Sequence, residues 1–324
     1  MRTCLIFFVV FVVALPSLFA QDILPASINA FSRSVTDIAF NNNGSLLAAV
    51  GKEVDGNSIK LWNTSTGKLE RTLYKDTYWL TSIAFSPDGK FLACSRSDNS
   101  IRIIRVNNGK IERTLKGHSD AVQCLAYSPD GKILASGGAD DAVILWNSTT
   151  GKELFRLSDH KDKIKCLSFS PDRQTLASGS LDKTAKLWDV ETGRLVRTLA
   201  GHTHYVMDVA FSSNGRMAAT SGADNSIKIW RVSTGTVHKI LEGHSSPVTS
   251  SLFLSSDELL VSGSMDKTIK LWRIADGKAL RTLSGHEAGI TSLSLSPDQS
   301  LLASGSGNGN IRFWNLKEIL QEIK

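Results

Sequence analysis

The stretch from Thr175 to Leu199, TLASGSLDKTAKLWDVETGRLVRTL, sets a pattern that the rest of the chain repeats. Stepping 42 residues from Trp188 lands on Trp146, Ile104 and Trp62 in one direction and on Trp230, Trp272 and Trp314 in the other. The histidines keep the same step, at His118, His160, His202, His244 and His286, four of them preceded by Gly and one by Asp159. Seven copies fill the chain, which is read as one domain because an array of like units has no interior boundary. A period of about 20 to 50 residues marks a solenoid, a propeller or an array, whose units bury their cores only against one another.

Inside each copy the apolar period is two. In the copy around Trp188, Ile164, Leu167 and Phe169 lead into the turn Ser170-Pro171-Asp172-Arg173, and Leu176 to Gly179 form a short strand of small residues. After Asp182, Thr184, Lys186 and Trp188 alternate with Ala185, Leu187 and Asp189; beyond Thr192-Gly193, Leu195 to Leu199 make a fourth strand. Short alternating runs bounded by turn residues predict antiparallel strands and no helix. One such sheet exposes both faces and two edges. Closing seven into a ring buries the faces, whereas an open stack needs polar caps, and none is visible in the sequence. The expected fold is all-β, a seven-bladed β-propeller of four-stranded antiparallel blades.

The first six copies have Gly five residues after the tryptophan position (Gly67, Gly109, Gly151, Gly193, Gly235, Gly277) followed by an outer strand, but the seventh has Ile319 there. Residues 22–28 are expected to supply the missing strand, since Pro25 is tolerated on an outer edge.

The 37 Lys plus Arg outweigh 31 Asp plus Glu by six, and they are spread over every copy. Nucleic-acid binding calls for a basic stripe or cluster, so no nucleic-acid partner is expected. At the N-terminus Arg2 precedes an apolar run from Leu5 to Leu15, then Pro16 to Ala20. That layout predicts a signal peptide over residues 1–20, cut near Ala20, leaving 21–324 as the propeller, secreted or periplasmic and not inserted in a membrane. The alternative is an intracellular, membrane-anchored adaptor whose first 20 residues are an uncleaved anchor, although Leu5 to Ala20 is 16 residues with a Pro inside, short of the roughly 20 a spanning helix needs. Past the cut, Cys94, Cys124 and Cys166 remain, an odd number without metal-ligand spacing. Cys124 and Cys166 occupy the same place in successive copies, as do Ser82 and Ser250, so free buried thiols are expected. Asn43, Asn63 and Asn147 head Asn-X-Ser/Thr sites beside predicted turns.

The spacing Gly-His, Asp about two dozen residues on, then Trp six later, with Ser-Pro-Asp-Gly between, resembles the WD-repeat β-propellers over roughly residues 31–316. The resemblance implies a structural tetrad in each blade: His118, Ser136, Asp140 and Trp146; His160, Ser178, Asp182 and Trp188; His202, Thr220, Asp224 and Trp230; His244, Ser262, Asp266 and Trp272; and, with Asn308 for Asp, His286, Ser304 and Trp314. The second copy keeps only Asp98 of the four, beside Asp76, Cys94 and Ile104, and the first has Phe31 and Ala49 with a longer hairpin between Val50 and Asn57. Those two blades are expected to be held by apolar packing and backbone pairing. Ser, His and Asp are also the residue types of a catalytic triad, but a nucleophile is needed once and a tie in every blade. No catalytic residue, metal site or cofactor is expected.

Function then rests on positions that vary while the scaffold repeats. In the family the third and fifth residues after the His position, and the one before the turn Asp, commonly point to the partner-binding face. The third reads Ser34, Trp79, Ala121, Lys163, Tyr205, Pro247 and Gly289; the fifth reads Thr36, Thr81, Gln123, Lys165, Met207, Thr249 and Thr291; Leu181 and Met265 stand before the Asp in two copies. Trp79, Lys163, Lys165, Leu181, Tyr205, Met207 and Met265 are therefore the candidate partner-binding residues of a monomeric, non-enzymatic scaffold for a protein or peptide. An enzyme or carbohydrate-binding propeller would instead need a carboxylate or His cluster in the central channel, and none is legible.

Overall fold

The computed structural model describes residues 24–322; the expected signal peptide and its cut lie outside them. The described residues form seven four-stranded antiparallel sheets in a ring. In the fourth blade the strands, called a to d from the axis outward, are Ile164–Phe169, Thr175–Ser180, Thr184–Asp189 and Leu195–Ala200. Strand b is closed in on both sides, so its residues must be small: a Cβ on Gly179 would stand 2.4 Å from Cys166 Sγ and 2.7 Å from Val206 of the next blade. The apolar clusters lie between blades. One joins Leu145 and Leu157 of the third blade to Phe169, Leu176 and Trp188 of the fourth, which is why a lone blade could not fold.

The seventh blade takes its outer strand from the start of the chain. Ser27–Asn29 pairs antiparallel with Asn310–Asn315, Ser27 opposite Arg312 and Asn29 opposite Asn310, and Phe313 N–H donates to the Ala26 carbonyl at 3.0 Å. This strand is shorter than the expected 22–28. Residues 22 and 23 lie outside the described ones, and Pro25 instead seats against Gly67 of the first blade, whose Cβ would come 2.3 Å from the proline Cδ.

After Asn315 the chain forms a helix, Leu316–Gln321, where no helix was expected. Asn315 caps it, its side chain accepting from Glu318 N–H and donating to the Glu318 carboxylate, and Leu316 is buried against the sixth and seventh blades. No helix among the described residues is long and apolar enough to cross a membrane.

Strand a of every blade carries a β-bulge, in six blades between the fourth and sixth residues after the His position, for example between Ile164 and Cys166, and in the second between Leu80 and Ile83. A bulge leaves a residue unpaired and re-aims its neighbours. Here it turns both the fifth and the sixth residue toward the axis, where simple alternation sends only one.

Candidate interaction face

The tetrads of the third to sixth blades close at one end of the ring. Trp146 Nε1–H donates to Ser136 Oγ at 2.8 Å, Ser136 Oγ stands 2.7 Å from His118 Nε2, and His118 Nδ1 lies 2.8 Å from Asp140. The same chain recurs through Ser178 and Asp182, through Thr220 and Asp224, and through Ser262 and Asp266. Burial pushes the Asp224 and Asp266 carboxyls up. Hydrogen bonds from neighbouring hydroxyls, backbone N–H groups and the imidazoles outweigh it and hold both at about 2. In the seventh blade His286 meets Ser304 at 2.7 Å, and burial together with Arg312 lowers it to about 4. The hydroxyl-bearing residues Ser136, Ser178, Thr220, Ser262 and Ser304 are 0% exposed. They satisfy buried polar groups and are closed to any substrate.

The first two blades are not held by apolar packing and pairing alone, as expected from the sequence. In the second, Arg96 is buried with its guanidinium 2.7 Å from Asp76, 2.5 Å from Asp98 and 3.0 Å from Ser100 Oγ, while Tyr74 donates to Asp76 at 2.8 Å. An ionic network stands where the other blades have His and Trp. Its signal was Arg96 itself, which takes the place of a Gly or Ser in five later copies. In the first blade Phe31 meets Trp62 edge-on, 5.9 Å between centroids, and Lys60 bridges the Ala30 carbonyl and Glu53 of the long hairpin.

The candidate partner-binding residues lie at this tetrad end, on two levels. The carbonyls of Trp79, Lys163, Tyr205 and Pro247 accept N–H groups from Ser97, Leu181, Ala223 and Met265 at 2.8–3.0 Å, so the third and pre-Asp positions sit side by side on the rim. Trp79 is 59% exposed, Met265 47% and Tyr205 38%. Lys52 of the first blade lies over the Trp79 ring at 3.9 Å, and Met265 leans over Gly289 of the seventh. In both cases a side chain from the end of strand b reaches the next blade. The fifth residues lie one level down. Lys165 and Met207, with Thr36, Thr81, Gln123, Thr249, Thr291 and Met265, line the mouth of a central channel of about 340 Å³.

The channel corrects a second expectation, because it does contain carboxylates. Asp37 and Asp208, both sixth residues, line it. Asp37 accepts from Ser292 Oγ of the seventh blade (2.8 Å), from its neighbour Ile38 N–H (2.9 Å), and from Ser82 Oγ and Ile83 N–H of the second (3.0 Å each). Asp208 accepts from Ser251 N–H of the sixth blade at 2.7 Å. Burial raises both, Asp208 to about 7. Cys94, Cys124 and Cys166 are free and buried, and burial pushes the Cys124 thiol up to about 12. Among the described residues no group of three or more His, Cys, Asp or Glu is placed to hold a metal.

A ring of four-stranded blades tied by repeated His, Ser/Thr, Asp and Trp side chains defines a WD-repeat β-propeller. The pattern described as WD domain, G-beta repeat matches residues 24–63, 235–273 and 277–315. The pattern described as WDR3 first beta-propeller domain matches residues 53–232, more than half of the chain. The chain belongs to the WD-repeat family. None of the curated proteins compared with it matches.

Proposed function

We propose that the chain is an exported, monomeric, non-enzymatic scaffold that binds a protein or peptide partner at the tetrad end of the ring. Propellers of this family commonly mediate protein interactions. The observation that carries the reading is the gathering of exposed Trp79, Tyr205 and Met265 on one rim, with Lys163 beside them and Lys165 and Met207 in the channel mouth. Aromatic and Met anchors among cations fit an acidic segment with apolar side chains. Export rests on the apolar run from Leu5 to Leu15 and the expected cut near Ala20. N-terminal sequencing of the native protein should find a start near Gln21, and intact Met1 in the cytosol would reject export.

The partner is sought by affinity capture from the extracellular or periplasmic fraction. Tyr205→Ala with Met207→Ala should then weaken its binding by about 1 to 4 kcal/mol, and Lys163→Glu with Lys165→Glu should slow association in a salt-dependent way. Lys152→Ala and Glu191→Ala, exposed at the opposite end, are the controls. Loss of binding in the controls with none in the rim variants would place the partner on the wrong side of the ring for this reading.

A carboxylate-lined channel also favours a reading in which the channel binds a ligand. Each carboxylate, however, already holds a backbone N–H of the following blade, which suits a tie between blades better than a ligand site.

A further inference from the structure

Two positions at the end opposite the tetrads carry Lys or Arg in three copies each, and in both sets only the fifth blade lacks the matching carboxylate. In the turn between strands a and b, Lys90 stands 3.4 Å from Asp88 and Lys132 3.9 Å from Asp130. Their counterpart Arg216 has Asn214 where those carboxylates belong. At the end of strand c, Arg105 pairs with Glu112 and Arg273 with Asp276, both at 2.6 Å. Their counterpart Arg231 has His238 in place of Glu112 and Thr234 in place of Asp276.

Both departures remove negative charge, and both border one hollow of about 680 Å³, where Arg216, Arg231, Ser233 and His238 stand over an apolar wall of Met217 and Val232. That volume falls within the range of ligand-holding clefts, about 300 to 1,000 Å³, and exceeds what a lone oxyanion fills. Among the described residues neither Arg216 nor Arg231 has a carboxylate in ion-pair reach. Arg231 donates to His238 Nδ1 at 2.9 Å. A guanidinium has no acceptor, so the imidazole accepts there and its Nε2 carries the proton, a further donor.

The charges around the hollow sum in the same direction. Asp172 of the fourth blade lines it and Asp257 of the sixth stands beside it. Both are engaged: Asp172 accepts from Ser170 Oγ and Gln174 N–H, and Asp257 from the N–H groups of Ser213 and Asn214. Against these two carboxylates stand three guanidiniums, because Arg197 of the fourth blade also reaches in, to the Ser233 carbonyl. A guanidinium offers a planar fork of N–H donors that fits anionic oxygens. Here the donors come from three elements, the turn (Arg216), strand c (Arg231) and strand d (His238). Donors on several sides suit the three free oxygens of a phosphate or sulfate ester better than the two of a carboxylate.

We propose that this hollow binds a phosphate or sulfate monoester, its oxyanion held between Arg216 and Arg231 and its carbon skeleton laid over Met217 and Val232. The site lies on the opposite side of the ring from the rim of Trp79 and Tyr205, so its failure would leave that reading untouched.

The test is a methionine-methyl NMR titration of the full mature chain at constant ionic strength, with phenyl phosphate and phenyl sulfate as probes and phenol as the uncharged comparison. At least one ester should shift the Met217 methyl signal saturably, the tighter of the two identifying the oxyanion, while the methyls of Met207 and Met265 at the far end stay in place. Phenol should give no saturable shift. Asn214→Asp with His238→Glu returns the carboxylates of the other copies and should weaken binding about tenfold or more at an unchanged melting temperature. Arg216→Gln with Arg231→Gln should abolish it. No saturable shift with either ester, equal movement of all three methyls, phenol binding as well as the esters, or undiminished binding to either double variant would overturn the proposal.

Discussion

Replacing Asp208 with Asn keeps the side chain's shape and its acceptor for Ser251 N–H while removing the charge. Burial raises this carboxyl from 3.8 to about 7. Between those pH values the folded chain holds a proton that the unfolded chain has released, so the stability this group contributes falls as pH rises through the window and levels off above it. Full conversion of that interval gives on the order of 4 kcal/mol. The residue is half-buried and touched by channel solvent, which reduces the figure to roughly 2 kcal/mol. The new amide can donate to Ser221 and Ser251, whose hydroxyls lack partners and which stand beside Asp208 as its cross-strand partner and its backbone donor. Denaturant unfolding of both proteins at about pH 4.5 and about pH 8 should show Asp208→Asn more stable at the higher pH, with the gap closing at the lower. The difference between the proteins is the quantity to read, because buried imidazoles such as His286 titrate nearby with the opposite sign. A gap independent of pH, or a parent that is the more stable at pH 8, would refute the reasoning.

The matching change at the other channel carboxylate should act the other way. Asp37→Asn turns an amide toward Ser82, Ser292 and backbone N–H donors, so it should lower stability by about 1 to 3 kcal/mol, read as a lower melting temperature at every pH. Arg96→Met strands Asp76 and Asp98 and should cost about 3 to 5 kcal/mol; a melt equal to the parent's would show that the second blade does not depend on its ionic network. Deleting residues 24–29 removes the outer strand of the seventh blade and should speed hydrogen exchange at Ile311 and Phe313, whose strand it covers. Unchanged protection there would mean that the ring closes without it.

Blade number, strand polarity and the tetrads were legible because each rests on a period: 42 residues for the copies, two for the strands, and fixed offsets for His, Ser, Asp and Trp. What escaped the sequence lies where a local event breaks a period. Cys124, Cys166, Ser82 and Ser250 mark one repeated position, the same step reaches Asp208, and Asp37 holds it in the first copy once the three extra hairpin residues are allowed for; those two went unread because strict alternation turns the sixth residue away from the axis, and only the bulge in strand a turns it back. Arg96 was hidden for a related reason: its partner Asp76 comes from the His position 20 residues earlier, and a lost His reads as a lost tie until the two are seen together. The helix at Leu316–Gln321 shows the limit of carrying a repeat past its end, since the backbone bond from Leu316 N–H to the Ser300 carbonyl follows the repeat while the residues after it turn helical under the Asn315 cap. The same comparison of copies exposes Ser148. Two residues after the tryptophan position, five copies place Val, Ile or Leu and two place Thr64 and Ser148, and at Ser148 a cleft opens over Phe91 and Ile103.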